Sequence, residues 1–207
     1  NEMMEPYYTS AMHRLDITDA LLLDLGWGLA SGSTEYHWIL PSSAKAPGKG
    51  GAYYSTALSI GNRGNAEARY RLKFLGHDSD GTGGPESSEF VLGPNQSVTY
   101  EDVLGSVFGL ANGNYGAIRV TANVPSLNVL GQTATPVLGD WKNCVSSGFF
   151  GQSVPAVPAS GLITNGTTRS IVGIRDDAAF RTNLILANAG TSIVTVDLTL
   201  LSASGAI

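Results

Sequence analysis

Charge is scarce in this chain. Only 14% of its 207 residues are Asp, Glu, Lys or Arg, against about 25% in an average soluble domain. Twelve basic residues face 17 acidic ones, a formal net charge of −5. A mildly acidic chain without a basic cluster argues against nucleic acid or an anionic membrane as partner. Cysteine is almost missing. Cys144 stands alone, so no intrachain disulfide can form. It reads as a half-buried small hydrophobe, because nothing near it supplies the base that a thiol nucleophile needs. No run of about 18 apolar residues occurs, so no membrane-spanning helix is expected. The three histidines, His13, His37 and His77, stand apart, and none has a second His or a Glu at metal-ligand spacing.

What is abundant is glycine, at 26 residues, together with Ser, Thr, Asn and Ala. This uncharged, turn-rich makeup suits an all-β protein better than a helical bundle or a disordered tail, and it leans towards an extracellular setting. Period-2 alternation carries the chain after a flexible linker over 28–35. Strands are expected at 36–40, 55–62, 68–75, 87–92, 97–100, 115–122, 127–133 and 148–154, with one or two helical turns within 101–108. The clearest is 68–75, where Ala68, Tyr70, Leu72 and Phe74 alternate with Arg69, Arg71 and Lys73. Short strands with turn signals between them fit an immunoglobulin-like antiparallel β-sandwich over 36–150.

An internal repeat follows it. Residues 53–75, YYSTALSIGNRGNAEARYRLKFL, align without gaps on 179–201, AFRTNLILANAGTSIVTVDLTLL. Thr56/Thr182, Leu58/Leu184, Asn62/Asn188, Gly64/Gly190, Leu72/Leu198 and Leu75/Leu201 are identical. Tyr70/Val196 and Phe74/Leu200 keep the apolar phase. Matching turn residues are harder to obtain by chance than matching alternation. The expected organisation is one sandwich over 36–150 and a truncated second copy over 151–207. The chain opens at Asn1 in mid-motif and stops just after a strand-like run, so both ends are expected to be cuts through a longer protein.

The first 27 residues differ in kind. Met4-Glu5-Pro6-Tyr7-Tyr8 has the form Met-x-Pro-x-Tyr. An apolar helix is expected next at about 17–25, capped by Asp16 or Thr18 and stopped by Gly26 before Trp27. This combination resembles the Met-turn and last helix of the metzincins, in particular the matrixin pattern of secreted bacterial zinc metalloproteases. The resemblance covers about an eighth of the chain. It implies that Met4 lies beneath a zinc site, with Pro6 and Tyr8 matching the Pro and Tyr of the turn. Met3 is an alternative match in a shifted register. It also implies an upstream helix with HExxHxxGxxH, whose histidines bind zinc and whose Glu is the general base. That helix is absent from these residues. This fragment is therefore expected to be inactive, with no catalytic residue and no bound zinc or other cofactor. The parent enzyme would use zinc on protein or peptide substrates. The β region in turn resembles repeated domains at the C-termini of secreted bacterial proteins, through Glu101-Asp102-Val103-Leu104 with Phe108-Gly109 and through Asp177-Ala178-Ala179-Phe180-Arg181-Thr182-Asn183-Leu184.

Lesser candidates have plainer readings. Asp78-Ser79-Asp80-Gly81 is a fragment of a calcium loop without the closing Glu, and reads as a polar hairpin loop. Asp176-Asp177 beside Arg175 reads as a solvated turn rather than an acid/base pair. Gly48-Lys49-Gly50-Gly51 lacks the phosphate-loop spacing. Tyr36, Trp38, Tyr53, Tyr54 and Tyr100 would make a sugar- or peptide-binding platform if exposed, but their alternation favours core and sheet-face positions. The leading expectation is a fragment of a secreted zinc metallopeptidase with accessory sandwiches that act as spacers or as substrate, surface or glycan binders. The alternatives are a non-enzymatic extracellular adhesion or structural protein, and a carbohydrate-binding module.

Overall fold

The computed structural model describes residues 34–136, 148–177 and 182–202. Met4, Pro6, Tyr8, the expected helix at 17–25, His13 and Cys144 lie outside the described residues. Two compact units divide between Thr34 and Glu35, at the end of the expected linker.

The second unit is mainly β and wholly antiparallel. Its strands are β1 (Tyr36–Pro47), β2 (Tyr53–Asn62), β3 (Ala68–Gly76), β4 (Phe90–Leu92), β5 (Ser97–Tyr100), β6 (Asn114–Ala122), β7 (Leu127–Pro136), β8 (Phe149–Pro155) and β9 (Val157–Pro158). One short helix, α1 (Val103–Ser106), follows β5. The hydrogen-bonded path runs β4-β3-β6-β1-β2-β7-β8, with β5 added to β2 and β9 to β1. It folds over at a short seam, Lys45–Pro47 against Tyr53–Ser55. One layer then holds β4, β3, β6, β1 and β9, and the other holds β5, β2, β7 and β8. This is the antiparallel sandwich that the alternation implies.

Inward residues of the two layers form one core. Leu40, Leu58, Ile60, Leu72, Ile118 and Val120 are fully buried within it. β3 shows how the pattern works: Ala68, Tyr70, Leu72 and Phe74 are buried while Arg69 and Arg71 face outward. The arginines meet acids at the sheet edge, Arg69 with Glu67 at 2.7 Å and Glu89 at 3.3 Å. Such exposed pairs add little stability. The layers pack tightly at one place where a side chain is missing. A Cβ on Gly131 of β7 would lie 2.6 Å from Leu40 Cδ2, so only glycine leaves room for that leucine.

β2 and β3 are consecutive but do not pair with each other; β2 is flanked by β5 and β7, β3 by β4 and β6. The chain therefore crosses between layers at the corner after β2, and Asn62 holds that corner. Its buried amide donates to the carbonyls of Ala66 (2.7 Å), Leu92 (3.2 Å) and Gly93 (3.2 Å). Its Oδ1 accepts from Gly64 N at 2.9 Å and Ser126 Oγ at 2.8 Å.

The expected boundary at 150 falls inside β8. β8 pairs with β7, and β9 pairs with β1 through Val157 and Pro158, so the first sandwich runs on to Pro158. Beyond a 3₁₀ turn at Ala159–Gly161, the described residues 162–177 and 182–202 form no strand. Arg119 of β6 donates to the carbonyl of Ala189 at 2.9 Å, so the later segment touches the sandwich.

Gly131→Val forces a branched side chain against Leu40 and should cost about 1–3 kcal/mol. Asn62→Ala leaves buried backbone groups unpaired and should cost about 1–3 kcal/mol. Urea unfolding would measure both; a loss below about 0.5 kcal/mol, the scatter of ordinary surface changes, would refute the role given to that residue.

Candidate functional site

The outer face of the β5-β2-β7 layer carries an open groove of about 840 Å³. Two cross-strand rows build it. Thr99, Ser59 and Leu130 lie side by side on β5, β2 and β7, and Ser97, Gly61 and Asn128 form the next row. Gly61 has no side chain between Ser97 and Asn128, which makes the depression. Ser59 Oγ and Thr99 Oγ1 are 2.9 Å apart. Arg63, exposed on the corner after β2, closes one end, and Pro155 and Pro158 contribute from the β8–β9 side.

The lining sets the chemistry. Hydroxyls, an amide and one guanidinium offer hydrogen bonds and a single positive charge. Among the described residues no His, Cys, Asp, Glu or Lys lines the groove, so none of them stands beside its serines as a general base. The arrangement suits binding of a polar or mildly anionic chain.

Elsewhere the titratable groups are used structurally. Asp102 caps α1 by accepting from Gly105 N at 3.1 Å. Its other oxygen lies 2.5 Å from Lys45 Nζ, which ties α1 to β1. The hydrogen bond to Asp102 raises the Lys45 pKa. In the core, the Tyr70 and Tyr100 hydroxyls meet at 2.8 Å, and Phe90 packs on both rings. Burial pushes the Tyr70 phenol well above its ordinary value near 10, helped by the bond to Tyr100. Burial also raises Tyr100, partly offset by its hydrogen bond with Tyr70.

The residues singled out in the sequence are not gathered into one place. Trp38 is buried, and Tyr36 and Tyr100 pack against the core, so the aromatics make no exposed platform. Tyr53 instead bonds Asn112 Oδ1 at 2.6 Å. In the His77 loop, Asp80 Oδ1 accepts from Thr82 N (2.9 Å) and Thr82 Oγ1 (2.7 Å), which lowers the Asp80 pKa. His77 lies 3.0 Å from Asp78 Oδ2 and stacks on Tyr115 at 4.6 Å. This is a closed polar loop rather than a set of converging ligands. His37 Nδ1 sits 3.1 Å from Thr121 Oγ1. Asp177 pairs with Arg175 at 2.5 Å. Among the described residues no three of His, Cys, Asp and Glu come together to hold a metal, and no helix is long and apolar enough to cross a membrane. Sequence reading missed the groove. Its signal was the run of small outward residues on β2, Ala57, Ser59 and Gly61, which alternation analysis treats only as a polar face.

No protein-family profile matches the chain, and no curated protein matches it. Among solved structures, the crystal structure of Thermotoga maritima 1070 is similar, with 24% identity over 58% of this chain and 91% of that one, at a TM-score of 0.41.

Tyr70, Tyr100 and Lys45 all hold their protons more tightly in the folded chain. Their contribution is intact below the unfolded values near 10, and the unfolded chain gains as pH rises past them. Stability should therefore fall above about pH 10. Tyr70→Phe with Tyr100→Phe should flatten that fall. Melting temperatures between pH 8 and 11 (roughly either side of the unfolded tyrosine value) check this, and an unchanged slope in the double variant would remove the tyrosine pair as its source.

Proposed function

We propose that this chain is part of a secreted zinc metallopeptidase in which residues 1–27 end the catalytic domain and the β-sandwich is a non-catalytic accessory module. The groove supports the accessory half of this reading: among the described residues its lining offers hydrogen-bonding groups and no acid/base pair. The Met-x-Pro-x-Tyr pattern of Met4, Pro6 and Tyr8 in the sequence supports the peptidase half. Zinc, in this reading, belongs to an upstream HExxHxxGxxH helix, where it would activate water for peptide hydrolysis. The described residues here do not fit the ion. The sandwich serves as a spacer or holds substrate or a surface near the catalytic domain, through the groove and Arg63.

A second reading is an extracellular adhesion or structural protein built of such repeats. It is favoured by the recurrence of the β2–β3 sequence at 179–201. A carbohydrate-binding module has less support: Trp38 lines the groove but is only 6% exposed, and Tyr36 and Tyr100 pack against the core.

The deciding experiment pairs the 207-residue chain with a longer product of the same gene, each assayed on labelled casein with zinc and then with chelator. The expected result is no hydrolysis by the chain and chelator-sensitive hydrolysis by the longer protein. An upstream region that encodes more β repeats and no zinc-binding histidines would replace the peptidase reading with the adhesion one.

A further inference from the structure

Glycine inside a strand has three ordinary structural reasons: a bulge, a backbone conformation barred to other residues, or a neighbour pressed against its Cα. Gly116 and Gly131 show the third. A Cβ on Gly116 of β6 would strike the Leu75 carbonyl, and one on Gly131 would strike Leu40. Gly61 of β2 has none of these reasons. Its pairing with β5 and β7 runs in unbroken register. Its φ is not positive. Among the described residues, a Cβ there would meet only Ser97 Cβ, at 3.9 Å, an ordinary contact. Glycine weakens a central strand, so Gly61 lowers stability where nothing in the described molecule requires it. The remaining reason for a bare Cα is the close approach of a bound ligand.

The surroundings of Gly61 indicate which ligand. Neighbouring strands lie about 4.8 Å apart, so the flanks on β5 and β7 stand about 10 Å apart across β2. One extended chain fits between them. Ser97 and Asn128 hold those flanks, both exposed, and neither side chain bonds another described group. A carboxamide presents a donor and an acceptor together, the complement of a peptide group. Leu130, 42% exposed, and Pro125 add apolar wall. Arg63 stands two residues on from Gly61, about 7 Å along an extended chain. Its backbone N–H donates to Ser126 O at 3.1 Å, so its side chain starts from a fixed point. Arg69, Arg71 and Arg175 each face a carboxylate. The exposed Arg63 guanidinium has no bonding partner among the described residues.

We propose that the groove holds an extended peptide over Gly61, with one acidic side chain of that peptide paired to Arg63 and its backbone bonded by Ser97 and Asn128. Charge selects this class. A single guanidinium answers a single carboxylate, through two parallel hydrogen bonds. A uronic or sulfated glycan and a nucleic acid carry anions in series, and each calls for a row of cations. The groove has one. Its only aromatic lining residue, Trp38, is 6% exposed, which leaves no face for a sugar ring to stack on. The proposal rests on the groove as the binding surface of the accessory module and is independent of zinc.

The probe is a display library of random short peptides panned on the immobilised 207-residue chain. Expected are enriched peptides with one Asp or Glu, whose synthetic copies bind saturably. Replacing that acid by its amide should weaken binding by about tenfold or more, and so should Arg63→Ala, the scale of one charge-assisted pair. Arg63→Lys should restore only part of the loss, because an ammonium lacks the planar fork. Gly61→Leu should abolish binding with no drop in melting temperature, since its side chain enters open space. No enrichment over a blank surface, enriched peptides without an acid, or affinity unchanged in Arg63→Ala overturns the proposal. So does saturable binding of polygalacturonate in place of peptide, which makes an acidic glycan the occupant. Chelator-sensitive casein hydrolysis by the longer gene product stays a separate test, so failure here and failure of the peptidase reading are told apart.

Discussion

The corner at Asn62 governs the rest of this fold. Two consecutive strands must enter different layers, so the turn between them cannot borrow hydrogen bonds from a hairpin ladder. Asn62 itself is buried at the corner, as is its bond to the Leu92 carbonyl, and such groups need partners. One carboxamide supplies them by reaching Ala66, Leu92, Gly93, Gly64 and Ser126. These contacts join β2 to the ends of β4 and to the approach to β7. An aspartate lacks the donors and a leucine lacks both functions, so the position is chemically narrow. Once the corner is set, β2 is free to take β5 and β7 as neighbours, and β3 to take β4 and β6.

That division of labour also places the groove. The inner face of β2 carries Leu58 and Ile60 into the core, and its outer face is left with Ala57, Ser59 and Gly61. Small outward residues on a central strand sink the middle of the sheet surface below its flanks. Charged groups elsewhere are committed to holding elements together, as Lys45 and Asp102 do between β1 and α1. The groove is thus left with neutral hydrogen-bonding groups and Arg63.

Much of the sandwich was readable in the sequence because alternation reports a half-buried strand directly. β2, β3, β5, β6, β7 and β8 lie within a residue or two of expectation, apart from an extra turn of length at the end of β7. β1 ran longer than expected, because Ser43 and Thr56 satisfy the irregular stretch after Leu40, where the register to β6 shifts. β4 was shorter: Ser87 bonds Leu72 through both its amide and its hydroxyl instead of continuing a ladder. The short β9 escaped notice because two residues carry no period. The groove escaped for a different reason, since it is formed by three strands distant in sequence and by a side chain that is not there.

The order of strands has a consequence for synthesis. The chain emerges N-terminus first, so β1, β2 and β3 are complete before β6 has left the ribosome. β2 waits for residues up to 136 before its longest partnership, with β7, can form. Five of the eight pairings join strands that are not consecutive, and such non-local pairing slows folding. During that interval Leu58, Ile60, Leu72 and Phe74 lack β5, β6 and β7 to cover them, and Asn62 lacks three of its partners, Leu92, Gly93 and Ser126. That is the stage of its synthesis at which chaperones would find most to hold.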